Sequence, residues 1–273
     1  MTRSRHPPSR VSRGVHRLAA CLTCLLVLAG CRPAPIEPAT PAPTSGWRIH
    51  THGTRPGHTF LALHDNENDA VLAARGFVDV HGGRLVDVRA QGTRQVTVTR
   101  DGRSTTFDPN RVFTDAGLLG PASLEGATRP VGGIDHPRAF ARHISRAVDL
   151  DTASLLVAVH NNTDGAYSAA SYAAGAALAG DAAALHLPSG VDPDDFFLVT
   201  TRALFDSLRT SGFPVVLQDN ARVTDDGSLS VLCGRRGIAY VNVEAQHGHA
   251  HVQRVMLDTL HRALAASTGP ARG

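Results

Sequence analysis

The chain has 273 residues, 42% of them hydrophobic, with 27 basic residues, none of them lysine, and 24 acidic ones, for a formal charge of +3. Five of the arginines (Arg3, Arg5, Arg10, Arg13, Arg17) lie in the first seventeen residues, so the remaining body holds 22 basic against 24 acidic residues and is near neutral. That balance speaks against a nucleic-acid partner, and the length suits one domain with its own core.

The five arginines precede an apolar stretch, Leu18 to Ala29, that is too short for a membrane span of roughly 20 residues and has the form of a signal peptide. It ends Leu28-Ala29-Gly30-Cys31, which resembles the lipobox of bacterial lipoproteins, so residues 1–30 are expected to be a lipoprotein signal and Cys31 the lipidated residue. Residues 31–46 then hold five prolines and read as an extended tether. The protein is accordingly expected to be exported and anchored to a bacterial membrane, facing the periplasm. Cys21 and Cys24 leave with the signal and Cys31 carries lipid, so Cys233 remains alone and no disulfide staples the body.

From Trp47 onward strand and helix signals alternate. Thr59 to Leu63 is a short apolar run, and Asn66 to Arg75 is a helix with acidic residues in its first turn and Gly76 as its stop. Arg84 to Ala90 alternates apolar and polar residues; Gln95–Arg100 and Ser104–Phe107 form a hairpin on the turn Asp101-Gly102. His136 to Leu150 has the period of an amphipathic helix, and Ser154 to Val159 is a buried strand. Ala166 to Ala184, rich in Ala, Gly and Ser, fits either a close-packed helix or a loop over the site. Phe196–Val199 and Pro214–Leu217 are strands around a helix at Thr201–Arg209. Ile238–Val243 is the last strand, and Ala250–Ala266 a terminal helix stopped by Gly269-Pro270. The expected fold is a single α/β domain over residues 47–268, with a central mixed sheet and helices on both faces.

The chemistry sits at the ends of three of these strands. His64 and Glu67, spaced H-x-x-E, follow the first; His160 follows the second; Glu244 follows the third. In parallel α/β sheets ligands bind outside the carboxyl ends of the strands. Two imidazoles and a carboxylate fill three positions of a tetrahedral zinc site and leave one for water, and a separate carboxylate can take that water's proton. Asp65 and Asn66 are expected to orient the ligands or to cap the following helix. Asn161 to Gly165 reads as turn chemistry.

The order of these motifs, with Asp108-Pro109-Asn110-Arg111 between them, resembles the zinc carboxypeptidases and their relatives, the succinylglutamate desuccinylase and aspartoacylase family. The resemblance spans about residues 58 to 250 as short motifs. It implies one zinc per chain on His64, Glu67 and His160, Glu244 as general base, and Asn110 and Arg111 on a substrate carboxylate, for which the planar fork of an arginine is suited. A second arginine is implied at the oxyanion; Arg103 fits the family spacing and Arg94 is its rival. The chain between Glu67 and His160 is shorter than in the carboxypeptidase branch, which implies trimmed substrate loops. In the run His247, His249, His251, His247 is expected to contact substrate, and a second metal is not expected.

The reading is therefore a lipid-anchored zinc hydrolase cleaving an amide in a peptide, carboxypeptidase-like, with peptidoglycan stem peptides among the substrates its compartment suggests. The alternatives are a deacylase of N-acyl amino acids and a lipoprotein that keeps the fold only to bind. The last has no need of a general base.

Overall fold

The computed structural model describes residues 46–119 and 130–268. The signal, the lipobox cysteine Cys31 and nearly all of the tether lie outside the described residues. β1 (Arg48–Arg55), β2 (Thr59–Ala62), α1 (Asn68–His81) and β3 (Gly83–Arg89) come first, followed by the hairpin β4 (Val96–Arg100) and β5 (Arg103–Phe107). α2 (Asp115–Leu119), α3 (Asp135–Ala147), β6 (Leu155–Asn162), β7 (Ala182–His186) and β8 (Phe196–Val199) follow. α4 (Arg202–Leu208), β9 (Val215–Gln218), α5 (Leu229–Arg236), β10 (Ala239–Gln246) and α6 (Ala250–Thr268) complete the order.

Eight strands form one mixed sheet in the order β1-β3-β2-β6-β10-β8-β9-β7. Its centre, β3-β2-β6-β10, is parallel throughout, while β1 and β8 join it antiparallel. Because strand side chains alternate between faces, the two faces read off the same strands. Phe60, Ala62, Val157, Val159, Val241 and Val243 pack with Phe77, Phe205, Met256 and Leu260 of α1, α4 and α6. Leu61, Leu63, Leu156, Ala158 and Tyr240 pack with Phe140 and Ile144 of α3, Leu229 and Cys233 of α5, and Val98 and Phe107 of the hairpin. Helices cover both faces of a single α/β domain, as the alternating pattern predicts. Cys233 is buried and free, and burial pushes its thiol up to about 12.

Several local expectations are corrected. α1 does not stop at Gly76 but runs on to His81, because Phe77 and Val78 are buried beyond it. Gly76 stands where a Cβ would come within 2.8 Å of Arg254 Nη1, so it makes room for the guanidinium that lies over Phe77. Ala166 to Ala184 is neither one helix nor a bare loop. It holds two short 3₁₀ turns, Ala169–Tyr172 and Ala179–Asp181, and leads into the edge strand β7. Tyr172 and Ala169 hold this segment by packing on Phe196, Leu198 and Val216. His160 and Glu244 do not follow their strands but lie within β6 and β10, two residues short of their ends. Asn161 and Asn162 are strand residues as well, so the turn begins only at Thr163. β1, α2 and α5 went unread: β1 is a polar edge strand without apolar alternation, and the two helices are short.

Candidate metal centre

Four consecutive polar residues follow Leu63 and bend the chain from β2 into α1. The Glu67 amide donates to the His64 carbonyl at 3.2 Å, and this single tight turn folds both side chains toward one point. β6 brings in His160 from the neighbouring strand. The result is a compact set. His64 Nδ1 lies 2.8 Å from Glu67 Oε1, His160 Nδ1 lies 2.9 Å from Glu67 Oε2, and the two Nδ1 atoms are 3.2 Å apart. The three residues are no more than 3% exposed.

Charge in such a place persists only if it is matched. The far nitrogen of His64, Nε2, meets Asp108 Oδ1 at 3.0 Å, the carboxylate–imidazole contact that orients metal-binding histidines. Asp108 is itself set by an Asx turn, accepting from the Asn110 amide at 2.8 Å. Burial alone would lower the His64 pKa, but Glu67 and Asp108 outweigh it and lift the ring to about 9. Burial would likewise raise Glu67, yet His64 and His160 hold it well below the usual carboxylate range. Asp108 is depressed in the same way, by His64 and Arg94. Two imidazole nitrogens and one carboxylate facing a common point is a donor set that suits zinc and leaves a fourth position open, so the residues fit the metal.

Glu244 pairs in register with His160 across the parallel β6–β10 ladder and projects from the same face. It is 6% exposed; its Oε1 accepts from Asn242 Nδ2 at 3.0 Å, while its Oε2 is buried without a partner. Burial raises its pKa above the ordinary carboxylate value, partly countered by His160. Behind the site, Gln253 of α6 donates to the His160 and Val243 carbonyls, and Asn161 accepts from the Ala70 amide at 2.8 Å. β6, β10, α1 and α6 are thus tied together directly beneath His160.

Of the two arginines considered for the oxyanion, Arg94 stands at the cluster. Its Nη1 donates to Glu67 Oε1 at 2.8 Å and its Nε is 3.4 Å from Asp108 Oδ2, with the side chain half exposed. Arg103 is exposed and pairs with Arg100 at the turn of the hairpin, four residues from the end that leads to Asp108. Spacing along the chain left Arg103 and Arg94 both open; the hairpin sends Arg103 outward.

Arg111 Nη2 is 3.5 Å from Asp226 Oδ2 and its Nη1 donates to the Asn110 carbonyl. Asn110 Oδ1 accepts from the Leu229 amide at 3.1 Å at the start of α5, so the side chain braces that helix. Tyr167 and Tyr172, hydroxyls 2.7 Å apart, lie near enough to Arg111 and Glu244 to feel their charges. His247 is exposed at the end of β10, 4.0 Å from Asp69, and is not among the metal-type donors. His249 instead faces Asp195, with Asp192 nearby. Sequence reasoning assigned no role to Asp108, Asn242 or Gln253. Asn242 had a readable signal, a polar residue in an apolar run on the same face as Glu244.

No protein-family model matches the chain, and no curated protein matches its sequence. Among solved structures the chain is similar to the murein-tripeptide amidase MpaA from Escherichia coli O157, at 11% identity and a TM-score of 0.42, covering 82% of this chain and 93% of that one. A succinylglutamate desuccinylase from Silicibacter sp. TM1040 is similar at 14% identity and 0.43, covering 86% and 71%. An aspartoacylase family protein from Mesorhizobium loti is similar at 14% and 0.40, covering 81% and 68%. The functional reading rests on the residues above.

Proposed function

We propose that this protein is a zinc-dependent amide hydrolase of the carboxypeptidase type, acting on peptides with a free carboxylate. The observation that carries the proposal is the convergence of His64, Glu67 and His160, with Glu244 in register on the adjacent strand. Bound zinc would supply Lewis-acid polarisation and a lowered pKa for a coordinated water.

The chain's own residues supply the rest. Glu244, buried and held by Asn242, accepts a proton from the attacking water and returns it to the leaving amine. Its raised pKa makes it a stronger base than an exposed carboxylate. Arg94 donates toward the oxygen that gains charge, and its half-exposed guanidinium faces the same cluster. Arg111 receives the substrate carboxylate, for which Asp226 is the internal stand-in. Asp108 holds the His64 ring, and with it the direction of its free nitrogen.

The signal-like segment and Cys31 support an export route and a lipid anchor, and with them a substrate found outside the cytoplasm, such as a peptidoglycan stem peptide. Elemental analysis of the purified protein should give about one zinc per chain. A panel of free-acid peptides, their amides and N-acyl amino acids then tests the reaction. Free-acid peptides should be cleaved best. Equal cleavage of free and amidated peptides replaces the carboxypeptidase with an endopeptidase or amidase, and turnover of N-acyl amino acids alone makes the protein a deacylase. Cys31→Ser should move the protein from the membrane fraction to the soluble one; a variant that stays with the membrane removes the anchor.

A further inference from the structure

Between the two donor residues His64 and Glu67, Asp65 turns elsewhere. It is 3% exposed, and its Oδ2 accepts from the Ala90 and Gly92 amides, both at 2.6 Å. Its other oxygen, Oδ1, lies 2.7 Å from Arg89 Nε. Ala90 and Gly92 belong to the loop that leaves β3 for the hairpin. Gln91 (φ 61°) and Gly92 (φ 72°) carry that loop through left-handed backbone. Successive amides in such a turn make an anion-binding concavity, and here the anion is the Asp65 carboxylate. The loop is stiffened further by the Thr93 hydroxyl, 2.8 Å from the Ala90 carbonyl and 2.7 Å from that of Gln95.

The next residue after Thr93 is Arg94. Its side chain is long, half exposed and reaches Glu67 only at its tip. A donor meant for a developing charge is effective when it is held in place beforehand, and a flexible arginine on a free loop is not. We propose that Asp65 is a positioning residue for Arg94: it fixes the Ala90–Arg94 loop to the end of β2, so that one four-residue turn supplies two metal-type donors and the anchor of the arginine. Any movement of His64 and Glu67 then carries Arg94 with it, which keeps the spacing between the donors and the guanidinium constant.

The part played by Arg94 rests on the hydrolase reading; the anchoring by Asp65 does not, and the experiment separates them. Asp65→Asn keeps the size of the side chain and removes its charge. In its crystal structure Arg94 should have left Glu67 Oε1, and amide hydrogen exchange across residues 89–95 should rise at least about tenfold while that of α1 holds. Arg94 still bonded to Glu67, with loop exchange unchanged, overturns the proposal. Should Asp65→Asn not fold, Arg89→Met removes the cation that braces Asp65, with its longer contact to Asp87 at 3.6 Å, and should give a smaller change in the same direction; no change there overturns it equally.

Turnover supplies the second arm. Asp65→Asn and Arg94→Ala should each lower kcat by roughly 10²-fold, the usual loss for one oxyanion donor, with KM and zinc content held. The double variant should fall no more than about threefold below Arg94→Ala, since both changes remove one interaction. Multiplied losses overturn the positioning role. A parent protein that cleaves no amide overturns the hydrolase reading alone, and the structure and exchange of Asp65→Asn still decide whether Asp65 places Arg94.

Discussion

Two groups of imidazole and carboxylate donors lie near the end of β10: His64, Glu67 and His160, and Asp192, Asp195 and His249. In both, the donor atoms lie within 4.8 Å of one another. In the second group, however, Asp192 is exposed and the Asp195 carboxylate is already used. Asp195 meets His249 Nδ1 through both oxygens, at 3.2 and 3.0 Å, and accepts from the Gln246 amide at 2.9 Å. It is the clasp that closes the corner between β10 and α6. In the first group the donors are buried and face one another, Asp108 holds His64 by its outer nitrogen, and Arg94 reaches the Glu67 oxygen that His64 also meets. Proximity of ligand-type atoms is therefore a weak sign; what distinguishes this centre is that all three donors are buried and face one another, with His64 held from behind by Asp108.

The difference is largest in metal content. His160→Ala should lose most of the zinc and, with it, all measurable turnover, while His249→Ala should keep about one zinc per chain. Elemental analysis of the two variants decides the matter, and a His249→Ala protein stripped of zinc would reverse the two assignments.

Next in size is a change that leaves the metal alone. Glu244→Gln keeps shape but cannot take a proton, and turnover should fall by roughly 10²–10⁴-fold with zinc retained. Because Glu244 must be ionised to take the proton, the parent's pH–rate profile should fall on its acid side. A variant as active as the parent would leave the base to another group.

A smaller effect belongs to the substrate end. Arg111→Ala should raise KM for free-acid substrates by roughly 10–100-fold, as expected for a charged hydrogen bond worth about 1.5–3 kcal/mol, and leave amidated analogues unchanged. Equal losses on both would mean that Arg111 serves α5 and the Asp226 loop rather than the substrate.

How legible all this was in the sequence depended on the range of the interaction. The strands that carry His64, His160 and Glu244 announce themselves by runs of Leu and Val, since a sheet covered on both faces demands apolar residues at every position. That is why the layer architecture could be read from spacing. Asp108 and Arg94 could not be weighed in the same way. Their place depends on how the hairpin β4–β5 folds back over β2, a long-range fact that residue counting represents badly; counting could not separate Arg94 from Arg103, which the hairpin turn carries into solvent. The path of α1 through Gly76 was hidden for the same reason, because the partner that needs the missing Cβ, Arg254, lies far along the chain in α6.

The gentlest test of the comparison is the pH dependence of stability without metal. In the metal-free protein His64 is held in its charged form between Glu67 and Asp108, with its pKa lifted from an ordinary 6.5 to about 9. A histidine whose folded pKa is raised contributes stability in full below 6.5 and loses it as pH rises through 9. Glu67 and Asp108 are depressed from 4.5 and 3.8, so their contribution is present above those values and lost as pH falls below them. The metal-free protein should therefore be most stable between about pH 4.5 and 6.5, and its Tm should fall by several degrees toward pH 9.5, at about 2–4 °C per kcal/mol for a domain of this size. Zinc should act in the opposite sense. It requires the His64 nitrogen free of its proton, so its affinity rises with pH, and the gap in Tm between loaded and stripped protein should widen from pH 6 to 9. Thermal melts of both forms across that range check the signs. Asp108→Asn removes one of the two carboxylates that hold the proton and should flatten the alkaline fall of the stripped form. A fall of the same depth in that variant would place the titration elsewhere, and would return His64 to the rank of the Asp195–His249 clasp, a structural pair with no cation to await.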